Sequence, residues 1–120
     1  MNAPASPAAP RRIAAGALHR LASDIFAARG MGARDAGTVA EALVWADLRG
    51  TGTHGVSRIP GYCGFIDRGD LDPRGVPAVR VDLPASLMLD ANRAAGPVAM
   101  REAQRLAADK ARAAGVGMAL

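Results

Sequence analysis

Glycine spacing divides the first half of this chain before any other feature does. Gly30 and Gly32 flank Met31, Gly50 and Gly52 flank Thr51, and Gly69 closes a third interval. Glycine reaches left-handed backbone without a side-chain penalty, so such positions stop helices and turn the chain. Between them apolar residues recur at three- and four-residue steps, the period of an amphipathic helix. Ile13, Ala17, Leu21, Ile25 and Ala28 form one stripe, widened by Leu18 and Phe26, and predict a first helix from Arg11. A second is predicted over residues 35–48, with Asp35 as its N-cap and Val39, Ala42, Leu43 and Ala46 as its apolar face. A third is predicted over about 54–68. Thr53 would cap it, and Ile59, Tyr62, Cys63 and Ile66 would face inward with Phe65 beside them. Pro60 lacks a backbone donor, so it must kink this helix or mark a late start.

After Gly69 the period changes. Residues 70–75 read as a loop, and residues 76–82 and 86–90 as two short strands joined through Leu83-Pro84-Ala85. Asp90-Ala91-Asn92-Arg93 is a polar turn, and Pro97 suits the first position of a helix running towards Gly115. Residues 115–120 read as the start of a buried strand. The class is therefore α+β: a three-helix N-terminal subdomain over 11–74, then the start of an α/β part over 75–120. Residues 1–10 carry three prolines and little to bury, and are expected to be a disordered tail. An apolar strand at the end of a domain leaves an unpaired edge. The sequence therefore reads as a fragment with an incomplete fold.

At 120 residues the chain is one domain in size and long enough to bury a core. Half its residues are apolar but only 3% are aromatic, so its largely alanine interior promises close packing and modest stability. The net charge of +4 raises the question of a nucleic-acid partner. All but one of the 15 basic residues are arginines, spread from Arg11 to Arg112 among 11 acidic residues, with no basic stripe. A mildly basic solvated surface accounts for that pattern, and nucleic acid is disfavoured.

The single Cys63 has no partner for a disulfide and no second thiol for a metal, so it reads as a small apolar helix residue in a reducing compartment. No apolar run reaches membrane length and no secretory signal is visible, which leads to an expected cytoplasmic location. His19 has no partner placed to make it a functional base and reads as solvated surface, and Trp45 reads as a packing residue.

Chemistry concentrates in Asp47-Leu48-Arg49-Gly50-Thr51-Gly52-Thr53-His54-Gly55-Val56-Ser57-Arg58-Ile59-Pro60-Gly61-Tyr62. It holds one of two histidines and the only tyrosine. If a helix begins near Thr53, then His54, Arg58 and Tyr62 lie at i, i+4 and i+8 along one face. Histidine accepts a proton from an alcohol being oxidised, or returns one to a carbonyl being reduced. Arginine offers a planar fork that holds a carboxylate, and a helix start adds unpaired backbone donors. Together they suit a carboxylate next to a carbinol or carbonyl carbon. The same spacing also fits a structural role, with His54 at a helix start and Arg58 paired to Asp47 or Asp67.

The segment from Ala46 to Tyr62, followed by Ile66-Asp67-Arg68-Gly69-Asp70-Leu71, resembles the N-terminal signature of the malate/L-lactate dehydrogenase family. This is the non-Rossmann family that includes ureidoglycolate dehydrogenase, sulfolactate dehydrogenase and diketogulonate reductase. The resemblance continues through Leu89-Asp90-Ala91-Asn92, Gly96-Pro97-Val98-Ala99-Met100 and Ala111-Arg112-Ala113-Ala114-Gly115-Val116-Gly117, and so covers about residues 12–120. It implies an NAD(P)-dependent oxidoreductase acting on 2-hydroxy or 2-oxo acids, dimeric in full-length form, with NAD or NADP left open. By position, His54 would be the catalytic acid/base, Arg58 would bind the substrate carboxylate, and Tyr62 and Thr53 would line the substrate site. Thr53 stands where the family usually has serine, and the hydroxyl is kept. The family's chain runs well beyond Leu120, so the expectation is a polypeptide that is inactive alone. Two other readings remain: a half-enzyme completed by a second polypeptide, and a small helical interaction module.

Overall fold

The structure is a computed structural model that describes residues 11–120; the tail expected over residues 1–10 lies outside them. Helix α1 is Ala15–Ala28 and α2 is Ala33–Leu48. Two short 3-10 turns follow, Gly52–His54 and Val56–Arg58, then α3, Ile59–Asp67. Strands β1 (Ala78–Asp82) and β2 (Ser86–Asp90) lead into α4, Gly96–Ala114, and the short β3, Met118–Ala119. The α+β class therefore stands.

The helices end where the glycines stop them, and Gly30 is left-handed at φ 90° after α1. Their starts and inward faces depart from the periodic reading. Helix α1 begins at Ala15 rather than Arg11 and buries Ala22 and Phe26, while Ile13 and Leu21 are exposed. Periodicity weights a stripe by side-chain hydrophobicity, but close approach to α2 selects a small Ala22 beside one large Phe26. Helix α2 begins at Ala33 with Gly32 in the cap position, two residues before Asp35. Asp35 instead sits in the first turn, where its charge meets the positive end of the helix dipole.

Two single residues also differ from expectation. His19 is half-buried, and its Nε2–H donates to the Gly37 carbonyl at 3.2 Å, tying α1 to α2. Trp45 is 58% exposed, with the Arg49 guanidinium 5.1 Å above its ring, because Leu43, Val44 and Ala46 take the inward positions of α2.

The core joins both halves. Phe26, Met31, Ala36, Val39 and Leu43 pack with Leu71 from the loop and Ala95 from the turn before α4. Ile59, Tyr62 and Ile66 of α3 lie against this cluster, and Cys63 on the same helix is buried. Burying Phe26 alone is worth roughly 2–3 kcal/mol.

Strand β2 is central in the sheet order β1-β2-β3. It pairs antiparallel with β1, with a bulge between Val79 and Val81, and parallel with β3 after the α4 crossover. The predicted 76–82 strand pairs only from Ala78. Gly117 passes so close to α4 that any side chain there would overlap the Ala107 carbonyl.

The turn into α4 is braced from several sides. Asn92 and Arg93 are left-handed (φ 49° and 58°). Asp90 Oδ1 accepts from the Asn92 amide at 2.8 Å, and Asn92 Nδ2 donates to the Val76 carbonyl at 2.7 Å. The Asn92 amide first, and the Arg80 guanidinium second, hold the Asp90 carboxyl below the ordinary carboxylate range.

Elsewhere arginine charge is met locally, in pairs such as Arg29–Asp67, Arg101–Glu41 and Arg105–Glu102. No helix among the described residues is long and apolar enough to cross a membrane.

Candidate active site

His54 is carried on a tight turn that hangs from the end of α2. The Thr51 amide donates to the Ala46 carbonyl at 2.9 Å, and the His54 amide to the Thr51 carbonyl at 2.9 Å. The Ser57 hydroxyl donates back to the Gly52 carbonyl at 2.8 Å. Asp47 reaches over from α2, and its Oδ2 accepts from the Val56 amide at 2.9 Å. Gly55 makes room for that carboxylate, since a Cβ at this position would overlap it. The imidazole is exposed, with Nδ1 3.0 Å from the Thr53 hydroxyl, and Nε2 has no protein partner among the described residues.

Thr53 therefore lies inside a 3-10 turn beside the imidazole rather than capping a third helix. Gly55 is extended (φ −87°, ψ −156°) and separates the two turns, and α3 starts only at Ile59. Pro60 falls in the first turn of α3, where its missing N–H costs nothing, so the late start holds and no kink is needed. The single line of His54, Arg58 and Tyr62 along one helix does not form. The extended backbone at Gly55, packed against the Asp47 carboxylate and invisible to a count of residue spacing, breaks it.

Arg58 and Tyr62 do come together. Both line an open cleft of about 380 Å³, together with Phe65, Asp70, Leu71, Arg93 and Gly96. His54 is not among its lining residues. Neither expected carboxylate pairs with Arg58, because Asp47 is engaged by the Val56 amide and Asp67 by Arg29. Arg58 is exposed, and its guanidinium is open to an anion from outside. Tyr62 is half-buried, its ring edge-on to Phe26, and that burial raises the phenol pKa against the opposing effect of the Arg58 charge.

Arg93 adds a second guanidinium to the cleft, steadied by a 3.0 Å bond to the Gly69 carbonyl. Spacing in the sequence passed over Arg93, because a polar turn after a strand names no partner. It also passed over Asp47 as a brace, although glycine directly after His54 is the mark of a close approach.

The cleft lies at the small end of the range that ligand pockets occupy. Its volume does not enclose a dinucleotide. Among the described residues there is also no group of three or more His, Cys, Asp or Glu placed to hold a metal.

The fold coincides with that of one class of protein, the malate/L-lactate dehydrogenases. The malate/L-lactate dehydrogenase family model matches residues 13–120. The L-sulfolactate dehydrogenase of Methanocaldococcus jannaschii is 31% identical over 99 residues, which are 82% of this chain and 29% of that protein. The ureidoglycolate dehydrogenase (NAD(+)) of Escherichia coli K12 is 34% identical over 101 residues, 84% of this chain and 29% of that one. The solved malate dehydrogenase of Pyrococcus horikoshii superposes with a TM-score of 0.88 at 30% identity, covering 91% of this chain and 32% of that one. The chain belongs to the malate/L-lactate dehydrogenase family, and it spans under a third of the length of these relatives.

Proposed function

We propose that this chain forms the substrate-side wall of an NAD(P)-dependent oxidoreductase interconverting 2-hydroxy and 2-oxo acids. The observation that carries the reading is the Arg58 guanidinium, without an ion-pair partner among the described residues, sharing a small cleft with Tyr62 in a chain of this family. Arg58 holds the substrate carboxylate by paired hydrogen bonds. Tyr62 and Phe65 bound the pocket, and Tyr62 remains a neutral donor because burial disfavours its phenolate.

His54 is the acid/base. In oxidation, Nδ1–H donates to Thr53 Oγ1 and Nε2 takes the hydroxyl proton of the substrate; in reduction, the Nε2–H of the charged ring returns it. A threonine hydroxyl accepts or donates by rotating, so Thr53 supports the ring in either tautomer when it is neutral. NAD or NADP would supply the hydride exchange. The described residues do not enclose that cofactor, so their own task is limited to binding the acid, orienting it and moving its proton.

On this reading the 120-residue chain is inactive alone, and the full-length form is a cytoplasmic homodimer. The test is NAD(P)H oxidation with a panel of 2-oxo acids, by the chain alone and mixed with a polypeptide supplying the remaining length of a relative. Turnover in the mixture that is abolished by His54→Ala, and silence without the second polypeptide, is the expected result. Turnover by the chain alone would overturn the inactivity. A mixture indifferent to His54→Ala and Arg58→Ala would overturn the site.

A further inference from the structure

We propose that Asp47 is the positioning residue of the candidate acid/base, setting the direction in which His54 is presented. The inference rests on the reading of His54 above, but its evidence is separate. Asp47 lies on the last turn of α2, half-buried, and among the described residues is the one carboxylate that reaches the His54 turn from a regular element. Its Oδ2 accepts from the Val56 amide at 2.9 Å, two residues beyond His54. Its other oxygen occupies the space left by the missing side chain of Gly55.

The two 3-10 turns have little else to hold them. Of their residues only Val56 packs, half-buried, against the core cluster, and closure otherwise rests on a few backbone bonds and the Ser57–Gly52 contact. An exposed turn of this kind sits at the low-stability end of a protein unless a side chain pins it. A hydrogen bond from a helix side chain to its backbone is such a pin. Asp47 thus ties the extended Gly55 joint, and with it the Thr53–His54 pair, to the rigid end of α2. It is not among the residues that line the proposed substrate cleft. Its effect is therefore transmitted through the backbone of residues 54–56.

The distinction from mere charge is testable with three substitutions in the ¹⁵N-labelled 120-residue chain. Asp47→Asn keeps an acceptor oxygen at the same reach, Asp47→Glu keeps the charge but is one methylene too long for the Gly55 notch, and Asp47→Ala removes both. The readouts are hydrogen exchange at the Val56 amide and the ring ¹⁵N shifts of His54, which report its tautomer and its contact with Thr53. Expected are an exchange rate raised on the order of tenfold or more in Asp47→Ala, averaged His54 ring signals in Asp47→Ala and Asp47→Glu, and near-native behaviour in Asp47→Asn. If Asp47→Ala fails to fold, the Asn and Glu variants decide the matter.

Unchanged Val56 exchange and His54 signals in Asp47→Ala would overturn the proposal, as would Asp47→Asn behaving like Asp47→Ala or Asp47→Glu behaving like the native chain. In a mixture that turns over, Asp47→Ala should lower kcat on the order of tenfold to a hundredfold with KM little moved, and Asp47→Asn should restore most of it. A His54 that proves not to be catalytic would leave the magnetic-resonance results standing, so the two failures are distinguishable.

Discussion

Phe26 of α1 and Tyr62 of α3 meet edge to face, their ring centroids 5.8 Å apart and their planes at 74°. Tyr62 is therefore both a core contact and a cleft residue, and the two roles separate by substitution. Tyr62→Phe keeps the ring pair and should change unfolding free energy by less than about 1 kcal/mol, while weakening binding of a 2-oxo acid. Tyr62→Ala should cost roughly 2–4 kcal/mol, because it leaves a cavity against Phe26. Urea unfolding of the two variants checks the split.

The same tyrosine gives a clean titration, since it is the only one in the chain. Burial raises its phenol pKa in the folded state, and Arg58 partly opposes this. The folded protein then prefers the neutral phenol. That contribution to stability is complete below about pH 10, the unfolded value, and is lost as pH rises through the higher folded value. Phenolate absorbance should develop at higher pH than for free tyrosine, and in Arg58→Ala at higher pH still. A titration unmoved by Arg58→Ala would separate the two residues.

Gly55 and Gly61 should respond to alanine in opposite ways. At Gly55 a methyl group collides with the Asp47 carboxylate, whereas at Gly61, inside α3, nothing lies within 4 Å. Gly55→Ala should cost roughly 1–3 kcal/mol, as misplaced groups typically do, and expose the Val56 amide. Gly61→Ala should gain roughly 0.4–1 kcal/mol by restricting the unfolded chain. Thermal unfolding of both variants decides it.

At the other end of the pH scale, Asp90 holds the turn that carries Arg93. Its carboxyl is depressed in the folded state, so its contribution is present above the ordinary carboxylate pKa and is lost as pH falls through the lower folded value. Acidification should loosen the Asn92 amide before the α2 core. Asp90→Ala should reproduce that loosening at neutral pH, as read by exchange at Asn92.

How far the sequence was legible varies with the kind of information each part needed. Glycine stops and the change of period located every helix and both principal strands, because those signals are local. Inward faces were less visible: Leu21 and Trp45 lie outside, and Ala22 and His19 between helices, because a neighbouring helix selects by shape as well as by hydrophobicity. At the candidate site, the closeness of Arg58 and Tyr62 was legible from their four-residue spacing. The position of His54 was not, because it depends on one extended glycine and a carboxylate from another helix. Arg93 reaches the cleft only through a left-handed turn that no spacing encodes.

The 14 glycines of this chain will not age alike. Gly32, Gly37 and Gly61 border open space, and their codons are free to wander towards alanine or serine over generations. Gly117 is closed to such drift, because every other residue would push β3 off the Ala107 carbonyl and with it the one parallel pairing of the sheet. Across descendants of this gene, the loss of that glycine should track the loss of the βαβ unit itself.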